Sequence, residues 1–352
     1  MSRVDPSFWR GRSVLLTGHT GFKGSWLSLW LGMMGAKVTG YALAPDTDPS
    51  LYALAGLDRD FPASFGDVRD GAALRAVVEQ ARPQIVLHMA AQPLVRRSVR
   101  EPVATFDVNV MGTAHLLEAL RDTPGLEAVL IITTDKIYEN TEAGLPFKES
   151  DPLGGHDPYS ASKAAAELVT ASFARTYFNA RGIPVATARG GNVIGGGDFS
   201  EDRIVPDVFR AMRANQPLVL RNPDATRPWQ HVLDCLEGYV TYAQELARGR
   251  DLPRAMNFGP IGSADVPVRV LAEAMQQALG AASGWVLAEG PQPREMQALA
   301  LDCAAAQQHL GFSDRLVGLS AITATADWYL AFARGDDMRA YTMKAIEEHL
   351  SR

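Results

Sequence analysis

Five short, almost unbroken apolar runs at 13–17, 37–43, 84–89, 128–134 and 184–189 dominate the first half of the chain, with a weaker candidate at 61–65. Helical patterns at 24–35, 72–81, 103–120 and 160–180 separate them. A strand without polar alternation must be covered on both faces, and a parallel sheet between two helix layers provides that cover. Strand–helix–strand crossovers are right-handed, so the runs imply an α/β fold with a doubly wound parallel sheet. The pattern breaks after Arg189. The stretch GGNVIGGGDF at 190–199 reads as a loop that brings backbone close to something else. Beyond it come short strands, helices and turns marked by Pro206, Pro217, Pro223, Pro228, Pro267, Pro291 and Pro293.

The first run ends in Thr17 and leads through Gly18, His19, Thr20, Gly21, Phe22, Lys23 and Gly24 into a helix. Gly18 permits a sharp turn, Gly21 lets backbone approach a pyrophosphate, and Gly24 allows close helix–sheet packing. The helix N-terminus then offers free N–H groups and a positive dipole end to phosphate. This makes the sheet a Rossmann-type dinucleotide-binding unit over residues 1–190 with about 230–260. Residues 191–229 and 261–352 are expected to form a smaller, discontinuous C-terminal substrate-binding cap over the carboxyl edge of the sheet. The second strand lacks the usual terminal acid that grips an adenosine ribose, since none occurs until Asp46. Lys23, Asp46 or the following turn is left to substitute, so the cofactor is read as NAD with NADP left open. Asp67 and Val68 lie where an adenine would arrive, and the small residues Ala90 and Ala91, with Gln92, would line the nicotinamide half.

Tyr159 and Lys163 form a Y-x-x-x-K pair at the start of a helical pattern. Residues four apart share one helix face, and an ammonium beside a phenol is expected to lower the phenol pKa toward a functional base; Tyr159 and Lys163 are also cofactor-site candidates, Lys163 for the nicotinamide ribose. Thr134, Asp135 and Lys136 end the 128–134 run, at a strand carboxyl end where open α/β sheets hold ligands. Thr134 suits a substrate hydroxyl, and Asp135 with Lys136 can divide acid and base duties if their surroundings separate their pKa values.

Composition narrows the alternatives. The chain has 352 residues and a formal net charge of −6, without the basic footprint of a nucleic-acid binder. Its two cysteines, Cys235 and Cys303, have no metal or redox spacing, and no metal is expected. The start is polar, and the most apolar stretch, 25–36, is far short of the roughly 20 residues of a membrane span. A cytoplasmic protein bound to neither membrane nor nucleic acid is expected.

At these residues the chain resembles the extended short-chain dehydrogenase/reductases, more narrowly the nucleotide-sugar 4,6-dehydratases, and within them the CDP-glucose branch. The segments GHTGFKGSWL at 18–27, MAAQPLVRR at 89–97, NVMGT at 109–113, TDK at 134–136, GGHDPYS at 154–160, GNVIGGGD at 191–198 and RPWQH at 227–231 carry the resemblance. It implies that Asn109 joins the cofactor site and that the substrate is a nucleotide sugar, CDP-glucose. Tyr159 would take the proton from sugar O4 as C4 is oxidised, and Asp135 would protonate the departing C6 hydroxyl. Lys136 stands where the dTDP-glucose branch carries a Glu, and would act as the C5 base or stabilise the enolate. Asn192, Arg203, Arg227 and His231 are the substrate-binding candidates, with the arginines suited to two phosphates. Arg294, Glu295 and Met296 replace a His-Glu-Ala type segment where nucleotide contact is expected. The 103–120 and 160–180 helices would pair across a homodimer, or in a tetramer. A 4-epimerase or a dehydratase of another nucleotide sugar is the rival on the same fold. A non-catalytic dinucleotide-binding regulator would not need Thr134, Tyr159 and Lys163 together.

Overall fold

The computed structural model describes residues 4–140, 144–261, 266–281, 284–290 and 299–352. In chain order its strands are β1 (Ser13–Thr17), β2 (Lys37–Ala42), β3 (Ala63–Phe65), β4 (Ile85–His88), β5 (Ala128–Thr134), β6 (Val185–Gly190), β7 (Asn192–Ile194), β8 (Leu218–Leu220), β9 (Thr226–Arg227), β10 (Trp229–His231), β11 (Ala255–Phe258), β12 (Val266–Pro267) and β13 (Trp285–Leu287). Seven of them form one sheet in the order β11-β6-β5-β4-β1-β2-β3, with every neighbouring pair parallel. Sequence order reverses between β1 and β4, which opens a crevice at the carboxyl ends of those strands. The doubly wound parallel sheet expected from the apolar runs is therefore present.

The alternation along β1 shows why both faces had to be apolar. Val14 and Leu16 join one core, with Leu27, Trp30, Leu130 and Leu236, while Leu15 joins the other, with Leu74, Leu116 and Phe178. The first core continues without a break into Phe209, Leu218, Met275, Trp328 and Tyr329 of the C-terminal half. That half contributes three small two-stranded sheets, β10-β7, β12-β9 and β13-β8. The last helix, Met338–Ser351, placed in the cap by the sequence, packs on Phe22–Met33 of the sheet half, with the His349 ring edge-on to Trp30 at 5.9 Å.

Other expectations need correction. The glycine-rich 190–199 stretch is not all loop: Gly190 closes β6, and β7 pairs in parallel with β10. Glycine is required at 190 because a Cβ there would lie 2.2 Å from the Tyr239 hydroxyl. The arginine-rich segment after Leu94 forms an unexpected helix, Val95–Arg100. The 103–120 helix is divided into Pro102–Phe106, a wide π turn at Asp107–Met111 and Gly112–Leu120. The 160–180 helix begins earlier, as Pro158–Phe173, because Asp157 caps it by accepting from Ser160 N at 2.9 Å and Pro158 fits its first turn. No helix among the described residues is long and apolar enough to cross a membrane.

Candidate active site

A cavity of about 730 Å³ opens along the carboxyl edge of the sheet, lined by the ends of β1, β2, β5 and β6 and by the loop after β4. Its first wall is the glycine turn. Gly18 has a φ of +76°, and a Cβ there would meet Ala90 N at 2.7 Å. A Cβ on Gly24 would stand 2.0 Å from Gly18 O, so the helix can sit this close only without a side chain. Gly21 differs: its Cβ would approach no atom closer than Gly18 O at 3.5 Å. Its missing side chain leaves open room above the uncapped N-terminus of Phe22–Met33, where N–H groups and dipole face the cavity. This arrangement fits a dinucleotide pyrophosphate. The loop after β4 is fixed by Thr17 Oγ1, which accepts from Met89 N and Ala90 N, each at 3.2 Å. Asp46, Asp67, Val68, Ala90, Ala91 and Gln92 all line the cavity. Thr20 also lines it, with its hydroxyl donated to Leu43 O at 2.9 Å.

Asn109 lies elsewhere than expected. It is buried in the π turn, accepts from Gln92 N at 2.8 Å, and donates to Gln92 O at 3.1 Å and Ser162 Oγ at 2.9 Å. It braces the Gln92 loop against the Tyr159 helix and does not line the cavity. Lys23, one of the three stand-ins for the ribose acid, lines the cavity on the side of the reactive groups. Its ammonium lies 5.3 Å from the Tyr239 ring centroid, in the electrostatic field of Arg203 and Asp135.

The reactive groups converge on the second wall. Thr134, Asp135 and Lys136 leave β5 in a short 3-10 turn, and Tyr159 and Lys163 face them from Pro158–Phe173. Asp135 is buried; Oδ1 accepts from Thr134 Oγ1 at 2.9 Å, and Oδ2 has no partner among the described residues. Burial raises the Asp135 pKa, against the opposing pull of Lys136, Thr134 and Arg227. Gly191 leaves room for it, since a Cβ there would come within 3.2 Å of Oδ2.

Tyr159 corrects the electrostatic expectation. Burial pushes its phenol up to about 12, while a hydrogen bond with Thr134 and the charge of Arg203 oppose the rise. Burial, not the lysine, dominates the phenol's shift, and Lys163 donates to Ile132 O at 2.7 Å. Its own pKa is pulled down to about 8, by burial first and then by Lys23, against the Glu167 carboxylate.

Asn192, Arg203 and Arg227 line the cavity beside these groups. Arg203 approaches Asp198 at 3.5 Å, and Arg227 is buried with one guanidinium nitrogen donating to Thr226 O at 2.7 Å. His231 is a correction: it is buried outside the cavity lining, accepts from Leu233 N at 3.2 Å and caps Val232–Ala247. Arg294, Glu295 and Met296 lie outside the described residues. The sequence missed Arg96, Asp202 and Arg221, which line the cavity as one cluster. Asp202 Oδ1 accepts from Arg96 at 2.9 Å and Arg221 at 2.6 Å, joining the Val95–Arg100 helix to the end of β8. The arginines of MAAQPLVRR were the available signal, but without the helix nothing aimed them.

Asp234, Glu237 and His349 converge away from this cavity, with ligand-type atoms within 4.8 Å of one another. The Arg315 guanidinium holds both Glu237 oxygens at 2.8 and 2.9 Å, so protein charge answers that cluster.

The family model described as GDP-mannose 4,6 dehydratase matches residues 15–318. A CDP-glucose 4,6-dehydratase of Salmonella typhimurium is 43% identical over 354 residues, covering 99% of each chain. An epimerase of Methanothermobacter thermautotrophicus superposes with a TM-score of 0.80 over 97% of this chain and 98% of its own, at 23% identity. A UDP-glucose 4-epimerase of Thermus thermophilus, solved in complex with NAD, gives 0.77 over 89% and 97% at 26% identity.

Proposed function

The chain belongs to the GDP-mannose 4,6 dehydratase family, and from that premise we propose that it is an NAD-dependent CDP-glucose 4,6-dehydratase. The reaction converts CDP-glucose to CDP-4-keto-6-deoxyglucose and water. Bound in the glycine cradle, NAD supplies the acceptor for the C4 hydride and its return to C6. Tyr159 receives the O4 proton, with Thr134 holding the same hydroxyl. The 4-keto group acidifies the C5 proton, which Lys136 takes, or whose enolate Lys136 stabilises. Asp135 donates a proton to the C6 hydroxyl, which leaves as water, and C5 takes a proton back once C6 has been reduced.

Asp135 is the observation that carries this reading. A 4-epimerase needs the tyrosine and the nicotinamide but no proton donor for a leaving hydroxyl. Here a carboxyl biased by burial toward its neutral form, with one oxygen unpartnered, lines the same cavity as Tyr159. The Salmonella relative supports the cytidine nucleotide and glucose. Asn192, Arg203 and Arg227 are assigned to the diphosphate, and Asp67, Val68 and the 90–92 loop to the dinucleotide. We assign residues 1–190 with about 230–260 to NAD and the remainder to the nucleotide sugar, and place the enzyme in the cytoplasm. The exposed apolar side chains Val103, Phe106, Met111, Leu168 and Tyr177, on packed neighbouring helices and turns, support a homodimer or tetramer.

The test is incubation of the purified protein and NAD with a panel of nucleotide-glucoses, followed by mass. The expected product is lighter by one water and arises from CDP-glucose. A product from another nucleotide would move the base specificity, and an isomer of unchanged mass would make the enzyme an epimerase.

A further inference from the structure

Two residues beneath the cavity, Glu167 and Arg189, have no part in the chemistry above. Glu167 lies on Pro158–Phe173 four residues after Lys163 and eight after Tyr159, on the same helix face. Arg189 lies near the end of β6. Both side chains are only 5% exposed and pair at 2.8 Å.

All of the carboxylate's capacity is used. Oε1 accepts from Thr133 Oγ1 at 2.6 Å and Arg189 Nε at 3.1 Å; Oε2 accepts from Thr187 Oγ1 and Arg189 Nη2, each at 2.8 Å. The other guanidinium nitrogen donates to the Tyr138 hydroxyl at 2.9 Å and Glu149 O at 3.1 Å. Tyr138 in turn donates to Asn257 Oδ1 at 2.6 Å and stacks on Phe147 at 4.9 Å. Thr133 immediately precedes Thr134, Asp135 and Lys136, and Tyr138 follows two residues after Lys136. A single ion pair thus grips the acid-bearing turn from both sides while standing on the helix that carries Tyr159 and Lys163.

A buried ion pair is weak evidence for stability, because desolvation offsets most of the Coulombic gain, and geometry is what it supplies best. We propose that Glu167 and Arg189 are positioning residues that set the separation between the Tyr159 base and the Asp135 acid. The inference rests on the dehydratase reading. It assigns them a consequence that a packing role lacks, namely coupling of C4 oxidation to water loss. Tyr159 moves with the helix and keeps its relation to O4 when the pair is cut. The Asp135 turn then loses its anchors and its reach to the C6 hydroxyl.

The experiment uses the full chain with Glu167→Gln and, because that variant leaves Arg189 unpaired, Tyr138→Phe, which keeps the ring on Phe147 and removes one hydroxyl. Amide hydrogen exchange across 133–138 is read against β1 as an internal standard, without substrate. Exchange of that segment is expected to rise roughly tenfold in folded variants, in line with loss of a buried hydrogen bond. With NAD and CDP-glucose, water loss should fall by about 100-fold in Glu167→Gln, the effect of a misplacement near 1 Å. C4 oxidation should persist, so reduced nicotinamide absorbance builds while KM changes little. Unchanged exchange, or equal slowing of oxidation and water loss in a folded variant, overturns the proposal. If Glu167→Gln does not fold, Tyr138→Phe decides by the same readouts at smaller amplitude. A wild type that dehydrates none of the nucleotide-glucoses defeats the dehydratase reading, and the exchange measurement still decides whether the pair holds the turn.

Discussion

Asp135 and Tyr159 share one cavity and are both shifted by burial, yet burial acts on them in opposite functional senses. For Asp135 it favours the neutral acid that a leaving hydroxyl needs. Asp135→Asn keeps the shape of the side chain and removes the transferable proton, and should leave the fold and C4 oxidation nearly intact while water loss stalls. Reduced nicotinamide absorbance accumulating with CDP-glucose is the readout; normal turnover would place the acid elsewhere. For Tyr159, burial holds the phenol near 12 and makes it a poor base until an added positive charge lowers it. Tyr159→Phe should cost about 10³-fold in turnover or more, with NAD affinity retained in a fluorescence titration. Lys163 gives the pH dependence. Its ammonium is the form assigned to the nicotinamide ribose, and its pKa is drawn down to about 8. The competent form prevails below that value and is lost above it. NAD affinity should be flat near pH 7 and fall about tenfold per unit well above pH 8. Lys163→Met should bind weakly at every pH, and an unchanged pH profile in that variant would remove Lys163 from the cofactor site.

At the level of elements, the three glycines of the first turn divide into two kinds. Gly24→Ala drives a Cβ against the backbone of Gly18, which has no rotamer to yield, and overpacking of this kind costs about 1–3 kcal/mol or more. Gly21→Ala meets nothing closer than 3.5 Å within the chain. The first should lower the melting temperature; the second should leave it in place and weaken NAD binding at least tenfold, because the methyl intrudes only on the bound pyrophosphate. If Gly21→Ala binds NAD normally, the cradle is not where the phosphates lie. These elements were legible in the sequence because their signals are local: buried strands show as apolar runs, and the turn shows as spaced glycines. Val95–Arg100 was not, since its arginines form no apolar stripe. β7 was hidden because glycines surround it and its partner β10 comes 37 residues later, with Asn192 paired to Trp229. His231 and Asn109 lie outside the cavity lining, because whether a polar side chain faces a cavity or caps a neighbour depends on packing that no spacing encodes. The shift in Tyr159 was missed for the same reason: burial, not the neighbouring lysine, dominates it.

On the scale of the whole molecule, one core runs from the sheet into the C-terminal half, yet fifteen large apolar side chains stay exposed among the described residues. Five of them are grouped. Val103 is 80% exposed on Pro102–Phe106, Leu168 is 63% exposed on Pro158–Phe173, and Phe106, Met111 and Tyr177 accompany them. The helices that carry Val103 and Leu168 pack side by side, and contiguous apolar groups of this kind on an otherwise charged surface mark association. Burying one such side chain contributes about 1.5–3 kcal/mol, whereas an unpaired carboxylate in the same interface is strongly unfavourable. Val103→Glu combined with Leu168→Glu should therefore change light scattering from twice the chain mass to one chain mass. Both side chains point into solvent within one copy, so the fold and NAD affinity should survive, the affinity within about threefold. A double variant that keeps its mass would mean that copies meet through another face. A wild type already at one chain mass would remove the dimer and leave those apolar groups to some other partner.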